Sequence, residues 1–127
     1  FVKKTGRQAE RAQVLLQSTR YPWLGATLDY SQLDPERGDV GPIELKVTGK
    51  KARFPDHDEP VLEFLAQLQQ QLLVTGCTWG SLSAVIGQPF VHHRYRDYDL
   101  HPGFAELVLA RTQAFQDSIA AGVPPGL

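Results

Sequence analysis

The sequence predicts an α/β layered domain, a mixed β-sheet flanked by helices. Three observations carry that expectation. Apolar residues recur with a period of two over 12–18, 24–29 and 43–47, the mark of half-buried strands. Val61, Leu62, Phe64, Leu65, Leu68, Leu72 and Leu73 then recur at helical spacing. Two further strand-like runs, 79–86 and 90–98, lead into a second helical stripe. Strands followed by helices that cross back onto the sheet give this architecture. At 127 residues, with 42% hydrophobic and 21% charged, the chain builds one domain over residues 1–127.

Taken in order, Lys3, Lys4, Arg7 and Arg11 make the first stretch basic. It reads either as a phosphate-contacting face or as a solvated end. The first strand alternates Ala12, Val14 and Leu16 against Gln13, Leu15 and Gln17. Arg20-Tyr21-Pro22-Trp23 is a turn, with Trp23 as a core plug. The second strand sets Leu24, Ala26 and Leu28 against Gly25, Thr27 and Asp29, and residues 30–40 read as a loop. In the third strand, Ile43, Leu45 and Val47 are expected on the core face, with Glu44 and Lys46 on the opposite one. The run Asp56-His57-Asp58-Glu59 reads as solvated loop and helix cap, because neighbouring loop side chains seldom converge on a metal. Pro60 suits the first turn of the helix and Gly76 its left-handed end. On the fifth strand His92, Arg94 and Arg96 share one face, opposite Val91, His93 and Tyr95, so His92 and His93 form no joint metal site. Pro102 opens the last helix, with Phe104, Leu107, Val108, Phe115 and Ile119 at helical spacing around Arg111. Residues 122–127 read as an exit linker.

Composition bounds the function. No apolar run approaches the roughly 20 residues that span a bilayer, and no signal peptide is visible. One cysteine, Cys77, allows neither an internal disulfide nor a multi-cysteine zinc site, and fits a cytoplasmic setting. A net charge of −1 means that any nucleic-acid contact comes from a local patch.

The residues with chemistry in them are Asp29, Glu44 and Lys46. If their strands pair, the two carboxylates converge on one divalent cation with the ammonium beside it. Magnesium takes one or two carboxylates and keeps several waters, and the backbone carbonyl of Leu45 can complete the set. Lys46 then holds or deprotonates an attacking water, or stabilises a pentavalent phosphorus electrostatically. The bland reading is an ion pair on a sheet face beside an unrelated aspartate.

Longer stretches weigh on that choice. Tyr21-Pro22-Trp23-Leu24-Gly25-Ala26-Thr27-Leu28-Asp29, then Gly41-Pro42-Ile43-Glu44-Leu45-Lys46, then Gln67-Leu68-Gln69 before Val74-Thr75-Gly76, resemble the YqaJ-like viral recombinase family. These are relatives of the lambda-type alkaline exonuclease within the PD-(D/E)xK nuclease superfamily. The likeness continues through Ala84-Val85-Ile86-Gly87, Arg96-Asp97 and Gly122-Val123-Pro124-Pro125. It implies a magnesium- or manganese-dependent enzyme that degrades one strand of duplex DNA from its 5′ end, leaving a 3′ strand for a single-strand annealing protein. It implies Asp29 and Glu44 as metal ligands, Lys46 as the catalytic lysine, and Gln67 with Gln69 beside the metal. Lambda-type enzymes are homo-oligomers, ring-shaped trimers. Two features depart from the family: Tyr30 stands where a glycine is usual, and the family's helix with a further acidic residue would lie upstream of Phe1, so the chain reads as a piece of a longer protein. Glu10 lies too near the first strand to replace that acid. The alternatives are an endonuclease with the same site, and a non-catalytic DNA-binding module using Lys3, Lys4, Arg7, Lys50, Lys51, Arg53, Arg94 and Arg96.

Overall fold

Strand order in the sheet follows chain order: β1 (Gln8–Gln17), β2 (Gly25–Leu33), β3 (Val40–Thr48), β4 (Trp79–Ile86) and β5 (His92–Asp99). The computed structural model describes residues 7–48, 60, 62–87 and 92–122. Neighbouring strands are antiparallel except β3 and β4, which run parallel. A parallel pair needs a crossover, and α1 (Leu62–Thr75) supplies it. The second helix, α2 (Pro102–Ala121), follows β5. The mixed five-stranded sheet with two helices agrees with the expected α/β class. The acidic run 56–59, the basic residues Lys3, Lys4, Lys50, Lys51 and Arg53, and the linker beyond Gly122 lie outside the described residues.

The core forms where α1 lies on β4. Phe64 and Leu68 of α1 cluster with Leu82, Ala84 and Ile86, and Leu65 and Tyr98 close its edge. Burying each large aliphatic side chain there contributes roughly 1.5–3 kcal/mol. Gly80 admits the helix closely, since a Cβ there would stand 3.0 Å from Leu68 Cδ1. Gly41 is similarly confined, because its Cβ would meet the Trp79 carbonyl at 2.6 Å.

Three helix ends follow their sequence signals, whereas Pro60 precedes α1, which starts at Leu62, instead of standing in its first turn. Gly76 takes φ 75° and its N–H reaches the Leu72 carbonyl at 3.0 Å. At α2, His101 Nδ1 accepts from the Phe104 N–H at 3.1 Å, Pro102 occupies the first turn, and Gly122 closes the helix at φ 69°. Trp23 is half-buried, and its Nε1–H donates to Thr112 Oγ1 at 2.8 Å, fixing the β1–β2 turn to α2. Beyond that contact α2 is mostly exposed, including Leu107, Phe115 and Ile119, so its stripe covers little of the core.

Two expectations change. The loop after Asp29 is shorter than 30–40, because Tyr30 to Leu33 continue β2 by pairing with Ile43 to Val40. The face assignment of β3 is reversed. Its parallel register sets Glu44 opposite Leu82 and Lys46 opposite Ala84, on the face that α1 covers. Ile43, Leu45 and Val47 lie on the other face, where exposure climbs from 3% to 37% to 79% along the strand. No helix covers that face among the described residues. Alternation tells which side chains share a face, but the crossover decides which face is covered.

Candidate active site

The sheet is interrupted on both sides of Asp29. On one side β1 bulges: Arg11 pairs with Tyr30 and Val14 with Leu28, leaving Ala12 and Gln13 opposite Asp29 alone. Gln13 takes φ 41°, a strained left-handed value for a residue with a Cβ. On the other side the β2–β3 ladder ends at Tyr30 and Ile43. From there β2 pairs only with β1, and the end of β3 pairs only with β4. The strands part into a cleft, and the Asp29 carboxylate spans its apex. Its Oδ2 accepts from the Leu45 N–H at 3.1 Å, in place of a strand partner.

Helix α1 roofs this cleft with glutamines. Gln70 Nε2 donates to the Gly25 carbonyl at 3.3 Å and Gln71 Nε2 to the Thr27 carbonyl at 3.0 Å. Both acceptors lie on the part of β2 that β3 has left. Gln71 Nε2 also donates to Glu44 Oε2. Lys46 Nζ lies 3.1 Å from Glu44 Oε1 and 5.2 Å from the centre of the Phe64 ring. Glu44 is 9% exposed, a depth at which an unpaired carboxylate would be costly. A cavity of about 380 Å³ opens here, lined by Ala26, Thr27, Glu44, Gln67, Gln70, Gln71 and Phe104 among others.

Each expected residue can now be placed. Asp29 is tied to the Leu45 backbone at the strand divergence, Lys46 pairs with Glu44 on the same strand, and exposed Gln67 lines the cavity that Glu44 lines. Gln69 does not join them. Its Nε2 donates to the Asp99 carbonyl at 3.0 Å and its Oε1 accepts from the His101 N–H at 2.8 Å. It therefore ties the end of β5 and the start of α2 to α1, which corrects its expected place beside a metal. Tyr30 pairs with Ile43, on the face away from α1, so its bulk stands on the opposite side of the sheet from Glu44. The residue that sequence reasoning missed is Gln71. Its signal was a polar side chain three residues after Leu68 and one before Leu72, inside the buried arc of the helix.

The donor set consists of hard oxygens. Asp29 and Glu44 offer carboxylates, each oxygen with lone pairs beyond its present hydrogen bond. Gln71 Oε1 is buried without a hydrogen-bond partner. Among the described residues no three His, Cys, Asp or Glu side chains gather as a metal group, so a cation here would rest on at most two carboxylates, with amide or backbone oxygens and water. Magnesium and manganese accept such a set.

The proposed basic surface is partly spoken for. On the face away from α1, the Arg7 guanidinium donates to both carboxylate oxygens of Asp97, at 2.9 and 2.7 Å, and to Gln32 Oε1 at 3.2 Å. Asp34 stands 3.4 Å away. Asp97 also accepts from Ser81 Oγ. The hydrogen bond to Asp97 holds the Arg7 pKa above its usual value against the opposing effect of burial. Burial pushes the Asp97 carboxyl up, but the bonds from Arg7 and Ser81 and the nearby charges of Arg7 and Arg37 bring it below the ordinary aspartate value. Arg7 is thus engaged in a clamp between the start of β1 and β5. Arg94 and Arg96 pair with Ala84 and Leu82, which puts them on the α1 side of β5.

No family model matches the chain, and neither a curated protein nor a solved structure is significantly similar to it. Among the described residues no helix is long and apolar enough to cross a membrane.

Proposed function

We propose that the chain is a metal-dependent nuclease domain that hydrolyses phosphodiester bonds in DNA. The observation that carries this reading is the Asp29–Leu45–Glu44–Lys46 arrangement. Where the sheet parts, one carboxylate is tied to the backbone of Leu45, the residue between Glu44 and Lys46, whose side chains form an ion pair, and Glu44 lines a cavity with three glutamine amides. An ion pair that only completed a sheet face would require neither the bulge opposite Asp29 nor the end of the β2–β3 ladder.

A bound divalent cation neutralises the phosphate oxygens and makes a bound water more acidic. The chain's own residues do the rest. Asp29 is held to the Leu45 N–H and Glu44 to Lys46 and Gln71, so the carboxylates that would hold the cation are fixed before substrate arrives. Lys46 presents a positive charge beside Glu44, where it orients the attacking water or stabilises charge on the pentavalent phosphorus. The water oxygen forms the new P–O bond and gives up a proton to solvent as the P–O3′ bond breaks, and the departing 3′ oxygen takes up a proton from solvent. The Phe64 ring limits where the lysine head can move. Degradation of one strand from a 5′ end, with a 3′ strand passed to an annealing protein and a trimeric assembly, are the finer parts of the proposal and rest on the family resemblance.

The test is digestion of linear duplex DNA labelled at either end, with magnesium, with manganese and with EDTA. Magnesium-dependent release of 5′ mononucleotides, reduced at least about 100-fold in both Glu44→Gln and Lys46→Ala, is the expected result. Cutting of closed circular duplex would make the enzyme an endonuclease. Steeply salt-dependent binding of DNA with no cleavage would make it a binding module.

A further inference from the structure

Within the site, one buried polar atom has no hydrogen-bond partner. Gln71 is 4% exposed, and its amide faces two acceptors, the Thr27 carbonyl and the Glu44 carboxylate. Two acceptors fix the amide orientation, because turning it over would set oxygen against oxygen. Nε2 must therefore face them both. Oε1 is left buried with no donor, an arrangement that folded proteins rarely keep without a water or an ion at the atom. Gln71 also lines the cavity that Glu44 lines, together with Gln67 one helical turn earlier. A cavity of about 380 Å³, with Glu44 and three glutamine amides in its wall, has room for an ion with its water shell.

We infer that Gln71 is a positioning residue for the divalent cation: Nε2 holds Glu44 in place, and Oε1 accepts a hydrogen bond from a water of the cation's shell. This rests on the metal-dependent reading of the same site. The chemistry suits the role, since water bound to a divalent cation is a strong donor and Oε1 is an acceptor with nothing to accept. The amide also joins β2 to β3 across the opening. The Gly25–Asp29 segment and Glu44 then move together, and the two carboxylates keep their spacing. Outer contacts of this kind are commonly worth about 10–100-fold in metal affinity.

The experiment is titration of the chain with Mn²⁺ alone, reading free ion by electron paramagnetic resonance, with far-UV circular dichroism to verify folding. No DNA and no turnover are involved. Four proteins are compared: wild type, Glu44→Gln, Gln71→Met and Gln71→Glu. Methionine keeps the length of the side chain and removes both polar atoms, whereas glutamate keeps an acceptor oxygen. The expected result is binding by wild type, loss in Glu44→Gln, and weakening of about 10–100-fold in Gln71→Met. Gln71→Glu, which keeps an acceptor oxygen and adds a negative charge beside Glu44, is expected to bind Mn²⁺ at least as tightly as wild type and to gain at least as much thermal stability from it, because the ion relieves the repulsion from Glu44. Unchanged affinity in folded Gln71→Met, with Glu44→Gln impaired, would overturn the role of Gln71 and leave the metal site standing. Equal loss in both Gln71 variants would overturn the acceptor role of Oε1. Absence of binding by wild type would overturn the metal reading and this inference with it.

Discussion

Removing one charge, with Asp97→Asn, is expected to destabilise the fold by about 2–3 kcal/mol at pH 7. Arg7 and Asp97 are 90 residues apart in sequence, and the clamp joins the start of β1 to β5. The side chains are 12% and 19% exposed, deep enough to limit screening by solvent. Unit charges centred about 4 Å apart attract by about 4 kcal/mol at an effective dielectric of roughly 20. Part survives the substitution, because Asp34 still faces Arg7 at 3.4 Å and the new amide can accept one guanidinium hydrogen bond. At roughly 3–5 °C per kcal/mol for a domain of this size, the melting temperature falls by about 6–15 °C.

The pH dependence tests the cause. The folded-state Asp97 pKa is depressed, so the stabilisation is fully present above the unfolded value of about 3.9 and is lost as pH falls through the lower folded value. The gap between wild type and Asp97→Asn is therefore constant from pH 8 to 5 and narrows below about pH 4. Urea unfolding followed by tryptophan fluorescence suits the measurement, since the Arg7 and Arg37 guanidinium carbons lie 5.2 and 4.4 Å from the Trp79 ring centre. A gap under about 1 kcal/mol at pH 7, or one undiminished at pH 3, would refute the reasoning.

Two more substitutions address the core and the glutamines. Leu68→Ala removes a side chain with no exposure, packed on Gly80 and Leu82, and is expected to cost about 2–5 kcal/mol in the same urea assay. A cost below about 1 kcal/mol would mean that α1 is not seated on β4 through this residue. Gln69→Leu leaves the Asp99 carbonyl and the His101 N–H without their partner, at about 1–3 kcal/mol, with Mn²⁺ affinity unchanged. Weakened Mn²⁺ binding in that variant, with stability intact, would return Gln69 to the metal's side.

Several features were legible one segment at a time. Period two marked the middle of β3 and parts of β1 and β2, a strand-like run marked β4, helical spacing marked α1, and Pro102, Gly76 and Gly122 marked helix ends. These signals are local: backbone geometry repeats over a few residues, and side chains reveal the repeat. Asp29, Glu44 and Lys46 stood out for a similar reason, as charges inside or ending otherwise apolar runs. The acidic run at 56–59 was set aside on the same local logic.

Tertiary structure alone decided the rest. The covered face of β3 depended on where α1 landed, and only the parallel register with β4 put Glu44 and Lys46 beneath it. The cleft required a β1 bulge and an early end to the β2–β3 ladder, both properties of strand pairs rather than of single strands. The four glutamines within residues 67–71 look alike in sequence, yet α1 turns by about 100° per residue and sends them to different places. Gln69 meets β5 and α2, Gln70 and Gln71 meet the unpaired carbonyls of β2, and Gln67 stays at the cavity wall. The sequence by itself determined which residues are polar or apolar and at what spacing. Which of them meet was set by packing between elements distant in the chain.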